Sequence, residues 1–357
     1  MPLPPIAINE RKLDEFLDRA LGDIGAALSA ALVVIGDRLG LYRAMAGAGP
    51  VTPSELARRT ETAERYVREW LANQAAGGYL AYDPATRRYS LPPEHAAALA
   101  DETSRSFLPP VFQIVTAAMK AESRVAESFR TGAGLDWCDA DPALLADRER
   151  LLGAAGESRL AARIIPALDG VEAKLRRGAR VADVGCGHGA ATILMAEAFT
   201  SSHFVGFDRR EEAIASARRR ARQSGCEDRV RFEVARAHDF PGAGYDLVTC
   251  FDCLHHIVDP GGAARHIRRA LASDGTWLVL ESRAHDRVED NLNPLGRVHY
   301  GASTMLCAPC SLAADGPALG AQAGESRLRR TVFAEGGFTR LRRALETPFD
   351  VVLEARP

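Results

Sequence analysis

The residues with the clearest capacity for chemistry lie in one glycine-rich segment. A short apolar run, 181–184, contains Asp183 and leads into Gly185, Gly187 and Gly189, which are followed by a stretch of small residues. Glycines at a turn between a strand and a helix let the backbone approach a ligand closely, and in a doubly wound sheet the first such turn lies where ligands bind. The segment therefore predicts a site for a nucleotide-like cofactor.

An aspartate after the next apolar run narrows the kind of cofactor. Asp208 directly follows the run 203–207, where its carboxylate can accept hydrogen bonds from both ribose hydroxyls of an adenosine. The spacing of the three glycines differs from that of the dinucleotide fingerprint, which disfavours NAD. A glycine turn and a helix-capping aspartate are also ordinary structure, but together they favour an adenosine-bearing cofactor.

Two adjacent histidines supply a second kind of chemistry. His255 and His256 follow the apolar run 247–251, so we expect them at the same sheet edge as the glycine turn. An imidazole titrates near neutral pH and can remove a proton from an acceptor hydroxyl, so both histidines are candidate general bases. The alternative, that one or both only cap the following helix or hydrogen-bond the cofactor, stays open.

Cysteines close to these histidines raise the question of zinc, whose usual ligands are thiolate and imidazole. Strand alternation sends Cys250 and Phe251 to opposite faces, and no ligand pair with zinc-finger spacing follows Cys253. Cys307 and Cys310 form a further C-x-x-C pair, but outside the context of a thioredoxin motif. The sequence therefore predicts neither a metal site nor redox catalysis.

The elements that must position these residues follow from the alternation of short apolar runs with helical patterns after residue 178. This alternation predicts an α/β fold with a Rossmann-like doubly wound sheet. The predicted strands are 181–184, 203–207, 230–234, 247–251 and 276–280, and the predicted helices lie near 190–199, 211–223 and 263–272. The last runs, 338–341 and 351–353, predict an antiparallel final pair.

The first part of the chain has a different pattern. Apolar residues recur at helical spacing from Leu13 to Leu39, the segment 52–55 has the sequence of a capping box, and a second helix is predicted over 63–76. A strand, turn and strand over 79–91 complete a mainly helical winged-helix pattern. Helical stretches over 107–129 and 147–176 follow. The predicted domains are a winged helix at 1–105, a helical connector at 106–178 and a cofactor-binding domain at 179–357.

Composition and charge limit the partners. Of the 357 residues, 46% are hydrophobic and 26% are charged, which is the balance of a soluble globular protein. The net charge of −2 provides no basic field for nucleic acid, and no uncharged apolar run approaches about 18 residues, so neither nucleic acid nor a membrane is expected. The lack of a signal sequence and the odd number of cysteines predict a cytoplasmic protein with reduced thiols.

The apolar stripe from Leu13 to Leu39 predicts how the chain assembles. This stripe has more apolar surface than a small winged helix can cover, which predicts a homodimer.

Four segments are similar to the successive motifs of class I S-adenosylmethionine-dependent methyltransferases, namely DVGCGHGAAT, FVGFD, DLVTCFDCLHHIVDP and SDGTWLVLE. With the winged-helix pattern before them, the chain resembles actinobacterial small-molecule methyltransferases that dimerise through such a domain. The resemblance implies that S-adenosyl-L-methionine is the cofactor. It places Asp183 and the 185–189 backbone, with its three glycines, at the methionine part of the cofactor, and Asp208 at the ribose.

The resemblance is less complete at the adenine. Relatives usually carry an acidic residue after the next strand, whereas here Arg236 comes first, so Asp239 is expected to take that place. Asp252 is assigned to the same cofactor-binding set.

The 254–259 segment is similar to the Leu-His-Asp-x-x-Asp stretch of winged-helix O-methyltransferases, in which the first histidine is the base. The resemblance assigns the base to His255, with His256 as the second candidate, and implies methyl transfer to a small-molecule acceptor, first of all to oxygen. Two other functions stay open. One is a cofactor-sensing winged-helix regulator that binds DNA, which the balanced charges of 55–70 disfavour. The other is a methyltransferase-like protein whose chemistry is altered or lost.

Overall fold

The computed structural model describes residues 8–104, 106–136, 157–320 and 323–357. The chain forms two compact units, Met1–Thr116 and Ala117–Pro357. The division into a winged helix at 1–105, a connector at 106–178 and a cofactor-binding domain at 179–357 remains a prediction. Cys138 and the 147–156 part of the predicted 147–176 helix lie outside the described residues.

The first unit contains the predicted helices and hairpin. Its helices span Glu10–Arg38, Leu41–Met45, Pro53–Arg59, Glu64–Ala76 and Pro93–Leu99, and strands β1 (Ala81–Asp83) and β2 (Arg88–Ser90) pair antiparallel. The capping box is complete, because Glu55 N donates to Thr52 Oγ1 (3.3 Å) and Thr52 N donates to Glu55 Oε2 (2.8 Å). These capping residues therefore determine where the helix Pro53–Arg59 begins.

The core of the first unit is built around Tyr42 and Trp70, which are buried with their ring centroids 5.0 Å apart. Tyr42 Oη donates to Gln74 Oε1 (2.5 Å), and Trp70 Nε1 donates to the Leu32 carbonyl (2.8 Å), so both buried polar atoms are satisfied. A Cβ on Gly36 would lie 2.5 Å from the Trp70 ring. The close approach of this ring accounts for a glycine on the buried face of the first helix.

The helix Glu10–Arg38 leaves much of its apolar stripe exposed, including Leu13, Phe16, Leu17, Leu21, Ile24, Leu28 and Ile35. By length and composition this helix could cross a membrane, since one 18-residue stretch of it has at most two charged residues and is only 33% buried. A count of uncharged apolar runs alone does not include this helix, because charged residues interrupt its apolar sequence. Core helices of soluble proteins and signal sequences share these properties, so the observation is weak evidence for a membrane.

The second unit is built on a seven-stranded sheet with the order β5-β4-β3-β6-β7-β9-β8. Strands β3 to β7 are parallel to one another, whereas β9 pairs antiparallel with β7 and with β8. The strands are β3 (Arg180–Val184), β4 (His203–Asp208), β5 (Val230–Val234), β6 (Tyr245–Phe251), β7 (Leu271–Ser282), β8 (Arg340–Glu346) and β9 (Asp350–Arg356). The predicted Rossmann-like sheet and its antiparallel final pair are confirmed.

Helices cover this sheet and extend beyond it. They span Glu122–Thr131, Val171–Arg177, Ala190–Ala198, Glu211–Gln223, Pro260–Ala270, Pro294–Ala302, Ala308–Ala313 and Glu325–Leu328, with shorter or wider turns at Glu157–Ile164, Ile165–Ala167, Leu254–His256, Val288–Asn291, Ser303–Cys307 and Arg329–Ala334. The helix Pro109–Met119 lies across the boundary of the two units.

Several element boundaries differ from the predictions. The described part of the predicted 147–176 helix is divided into the turns Glu157–Ile164 and Ile165–Ala167 and the helix Val171–Arg177. The 263–272 helix begins earlier, at Pro260, because Asp259 Oδ1 accepts from Gly262 N (2.7 Å) and caps it. Strand β7 begins at Leu271 rather than Thr276 because Leu271 already pairs with Tyr245. The predicted 107–129 helix is interrupted between Met119 and Glu122.

The sheet is covered on both faces, and its two sides belong to different clusters of buried residues. Phe251 packs in one cluster with Phe204, Phe232 and Leu278, and Cys250 packs in the other with Phe207 and Trp277. The strand alternation expected for Cys250 and Phe251 is therefore confirmed. Parallel strands present their carboxyl ends at one edge, so the turns after β3, β4, β6 and β7 meet there.

Candidate active site

The glycine turn after β3 is held in left-handed backbone. Gly185, Gly187 and Gly189 have φ of 75°, 55° and 83°, a conformation that side chains other than glycine rarely adopt. Gly185 N donates to the Phe207 carbonyl (2.8 Å), which ties the turn to the end of β4. A Cβ on Gly189 would lie 2.5 Å from the Phe232 ring. Backbone conformation therefore favours glycine at all three positions, and space also excludes a side chain at Gly185 and Gly189.

Asp183 is buried between two hydroxyl groups at the base of this turn. Thr192 Oγ1 donates to Asp183 Oδ2 (2.6 Å), and Thr249 Oγ1 donates to Asp183 Oδ1 (2.8 Å). Burial raises the pKa of Asp183 to about 6, against the opposing effect of the two hydroxyls and with a further rise from nearby Asp208. The carboxylate thus joins β3 to a helix and to β6 while remaining at the cavity.

Asp208 organises the turn as well as facing the cavity. Gly187 N donates to Asp208 Oδ2 (3.0 Å), and Arg210 N donates to Asp208 Oδ1 (3.0 Å). The first contact connects the carboxylate at the end of β4 directly to the second glycine of the turn. The two features that the sequence paired are therefore in contact.

A cavity of about 430 Å³ opens at this edge of the sheet, within the range usual for small-molecule sites. Its wall includes Asp183, Gly185, Gly187, His188, Asp208, Arg210, Arg236, His238, His256 and Val258. Among the residues that the structure describes, Gly189, Asp239, Asp252 and His255 do not line it. The structure therefore brings together five of the predicted site residues at the cavity, namely Asp183, Gly185, Gly187, Asp208 and His256.

The region expected to meet the adenine contains Arg236 rather than Asp239 at the cavity. Asp239 Oδ1 accepts from Arg236 N (3.0 Å), so this exposed carboxylate orders the loop from outside. The geometry gives no support to a cofactor role for Asp239 or for Asp252, and that role remains a prediction.

The two histidines lie in the turn Leu254–His256, with ring centroids 4.0 Å apart. His256 lines the cavity, whereas His255 is only 1% exposed. His255 Nδ1 lies 2.5 Å from Glu281 Oε2, and Glu281 Oε1 accepts from Leu254 N (2.8 Å). Burial lowers the pKa of His255, but the Glu281 carboxylate, Cys307 and Asp252 together raise it well above its usual value. His255 thus has a carboxylate partner, whereas His256 has access to the cavity.

Glu281 and Cys307 were not recognised from the sequence. Glu281 is buried near the end of β7, and an acidic residue ending a long apolar run was a usable indication. Cys307 is buried in the turn Ser303–Cys307 and forms a hydrogen bond with His255. Nothing in the local sequence indicated that this thiol would meet a histidine about fifty residues earlier.

Asp252 precedes the histidine turn in strained backbone. Its φ is 49°, which is uncommon for a residue other than glycine, and its N–H donates to the Leu280 carbonyl (2.8 Å). Its carboxylate influences the pKa of both His255 and His299. Such strain is concentrated at functional sites, and here it lies at the start of the segment that holds the histidines.

Comparison with known proteins identifies the fold family. Residues 175–353, half of the chain, match the family model of a methyltransferase domain. The chain belongs to this family. Residues 26–101 match a second model, an Rv2258c-like winged helix-turn-helix domain, so the predicted winged helix is confirmed.

Individual members of the methyltransferase family resemble the chain over different extents. The 27-O-demethylrifamycin SV methyltransferase of Amycolatopsis mediterranei is 33% identical over 143 residues, which are 40% of this chain and 44% of the relative. The chain spans about half the length of the curated relatives it matches.

Solved structures match over almost the whole chain. A putative O-methyltransferase from Nostoc punctiforme has a TM-score of 0.71 at 18% identity, covering 95% of this chain and 98% of its own. An O-methyltransferase from neocarzinostatin biosynthesis, solved with S-adenosyl-L-homocysteine and 1,4-dihydroxy-2-naphthoic acid, has a TM-score of 0.61 at 21% identity, covering 95% and 98%. At these identities the likeness establishes the fold.

Proposed function

We propose that this protein transfers a methyl group from S-adenosyl-L-methionine to an oxygen of a small-molecule acceptor. One observation carries the proposal: a single cavity is lined by the glycine turn, Asp208 and His256, and the His255–Glu281 pair adjoins it. Membership of the methyltransferase family, and relatives that are O-methyltransferases, support the same reaction.

The residues at the cofactor end fit the proposed cofactor. Asp183 is suited to the cofactor's ammonium group, and the glycine turn leaves room for its methionine part. Asp208, already fixed by two backbone N–H groups, is suited to the ribose hydroxyls. When bound, the cofactor supplies a methyl on a sulfonium, whose sulfur keeps the electron pair of the broken bond.

The protein's own contribution to the reaction is positioning and proton removal. We assign the base to His255, because Glu281 holds its Nδ1 and stabilises the imidazolium that forms when Nε2 takes the acceptor proton. The acceptor oxygen then forms the bond to the methyl carbon. Cys307 contacts the His255 ring, so acceptor binding must displace this thiol. His256, at the cavity wall, orients the acceptor.

The alternative function is a winged-helix regulator that binds DNA. In such a protein the helix Glu64–Ala76 would enter a DNA groove, but its charges do not support this. Arg68 pairs with Glu64, and Arg65 with Glu69, so these arginines are neutralised within the helix. Non-specific DNA affinity depends on cationic side chains that face phosphates. A methyltransferase-like protein without activity would bind the cofactor but give no methylated product in a methyl-transfer screen.

We also propose a cytoplasmic homodimer assembled through the exposed stripe of the helix Glu10–Arg38. Phe16, Leu17 and Leu21 are exposed on this helix. A contiguous apolar surface of this length is unusual on a monomer, which supports the dimer. The six cysteines in the described part of the chain are free thiols, which suits a reducing compartment. Light scattering of the Leu17→Glu and Leu21→Glu double variant should report a monomer, and an unchanged dimer mass would contradict the assignment of this surface.

The proposed function is tested by binding first and by chemistry second. Calorimetry should show binding of S-adenosyl-L-homocysteine and no binding of NADH. A methyl-transfer screen over phenols, amines and carboxylates should then give products with phenols. Tight NADH binding would refute the cofactor, and products with amines alone would refute the oxygen acceptor.

A further inference from the structure

Three potential metal ligands from two separate segments converge beside the cavity. Potential donor atoms of His255, His256 and Cys307 all lie within 4.8 Å of one another. Two belong to the turn after β6 and the third to the turn Ser303–Cys307, so only the fold brings them together. From this convergence we propose that the three side chains form a zinc-binding site that inhibits the enzyme by withdrawing its base.

The donor set suits zinc. Two imidazole nitrogens and one thiolate form a common ligand combination for Zn²⁺, with a fourth position left for water. With bonds of about 2.0–2.3 Å in a tetrahedral site, neighbouring donors are roughly 3.3–3.6 Å apart. The observed separations are at most 4.8 Å, so modest side-chain adjustments complete the site. This set is distinct from the Cys250 and Cys253 pattern that the sequence brought to attention.

The surroundings of the three donors also favour a cation. Glu281 engages His255 Nδ1 at 2.5 Å, which leaves Nε2 for the metal and orients the ring, an arrangement that accompanies histidine ligands in many zinc sites. In the proposed zinc-bound state, a Cys307 thiolate and the nearby Glu281 carboxylate would balance the charge of the ion. His256 lines the cavity and gives the ion a route to two donors that are buried.

The effect on catalysis rests on the proposed function. A metal bound to His255 occupies the nitrogen that would otherwise take the acceptor proton, and it fixes Cys307 where the acceptor must enter. Zinc is therefore expected to inhibit methyl transfer and a chelator to restore it. Metal binding itself does not depend on any methyl transfer, so the site and the function can be tested separately.

The site is tested with Co²⁺ as a spectroscopic substitute for zinc. The full-length wild-type protein should bind one Co²⁺ with the visible bands of a four-coordinate ion and a thiolate-to-cobalt charge-transfer band. Cys307→Ser should lose the charge-transfer band and weaken Zn²⁺ binding at least about tenfold. Cys310→Ser, a matched control on the adjoining helix Ala308–Ala313, should keep both. A charge-transfer band that persists in Cys307→Ser, or that is absent from the wild type, would overturn the proposal.

A second measurement does not depend on the folding of a variant. In incubations long enough to alkylate the buried Cys307 of the metal-free wild-type protein, as measured by mass spectrometry, Zn²⁺ should slow the labelling of Cys307 and leave that of Cys310 unchanged. Labelling of Cys307 at the same measurable rate with and without Zn²⁺ would refute the site. Inhibition by Zn²⁺ should also be weaker in Cys307→Ser, relative to the metal-free rate of that variant. A protein that binds Co²⁺ through Cys307 but methylates nothing would retain the site and refute the proposed function.

Discussion

The two ends of the cavity are assembled in different ways. At the cofactor end, the glycine turn contacts Asp208 and the Phe207 carbonyl through its own backbone N–H groups, and its left-handed backbone shows in the sequence as glycines. At the histidine end, His255 contacts Glu281, 26 positions later, and Cys307, still further along. Strand pairing positions both ends, but the first end also needs glycines that the local sequence shows, whereas the second is formed by side chains that only the complete fold brings together. We therefore expect changes at one end to affect binding, and changes at the other to affect turnover.

Changing the histidines is expected to give the largest difference between the effect on turnover and the effect on cofactor affinity. His255→Gln should lower turnover by roughly 10²–10⁴ because the proton is then removed without a base. Affinity for S-adenosyl-L-homocysteine should stay near that of the wild type, since His255 does not line the described cavity wall. Single-turnover rates and calorimetry on the same variant measure the two effects.

His256→Gln is the matched control for this variant. It should slow turnover less than His255→Gln, because His256 has the cavity position but lacks the Glu281 contact. A His256 variant that loses the rate while the His255 variant keeps it reverses the two assignments. If neither variant slows, no histidine removes the proton.

The opposite pattern is expected at the cofactor end. Asp208→Ala removes the acceptor for Gly187 N and the acceptor that we propose for the ribose hydroxyls, which should cost roughly 2–4 kcal/mol of cofactor binding. Titration calorimetry should show at least about a tenfold loss of affinity. Asp239→Ala is the comparison, because its carboxylate is exposed and reaches only the loop backbone and His238. An equal loss in Asp239→Ala would restore Asp239 to the cofactor site.

A smaller effect is expected from the partner of the base. Glu281→Gln removes the charge that raises the pKa of His255, so the neutral, active imidazole should persist to lower pH. In buffer with a chelator, the rise of the rate with pH should move to lower pH, and the maximal rate should fall about tenfold because the imidazolium is less stabilised. A variant that loses rate with an unchanged pH profile would assign Glu281 a packing role alone.

The last effect concerns stability rather than binding or turnover, and it returns to the cofactor end. Because the pKa of Asp183 is raised from 3.8 to about 6 in the fold, its favourable contribution is full below 3.8 and is lost as the pH rises through about 6. The stability difference between wild type and Asp183→Asn should therefore shift against the wild type over this window, by at most about 1.4 kcal/mol per pH unit. Urea unfolding at several pH values measures it, and parallel curves for the two proteins would contradict the assignment.

The difference between the two ends also explains what the sequence could predict. Gly185, Gly187 and Gly189 were recognisable because left-handed backbone requires glycine at those positions. The capping box at Thr52 and Glu55 was equally local. In contrast, the contact between His255 and Glu281 follows from the pairing of β6 with β7, and no spacing rule along the chain states which strands will be neighbours.

Other differences have the same physical origin. Arg236 rather than Asp239 lines the cavity, because the Asp239 side chain turns within the loop to accept from Arg236 N, a direction that residue spacing alone does not give. Strand β7 begins at Leu271 through a pairing with Tyr245 that hydrophobic pattern alone does not contain. The position of Cys307 required the whole arrangement of helices after β7.

The close approach of Gly185 and Cys253 limits how the cavity of this protein can be redesigned. A Cβ at Gly185 would lie 2.7 Å from Cys253 Sγ, and that thiol donates to the Val184 carbonyl (3.2 Å). Position 185 therefore has no room for a side chain beside Cys253, and a larger residue at position 253 that kept the direction of the thiol would press on the glycine turn. A library that aims at new acceptors should leave Cys253 unchanged and vary Val258, which lines the same cavity and is partly exposed.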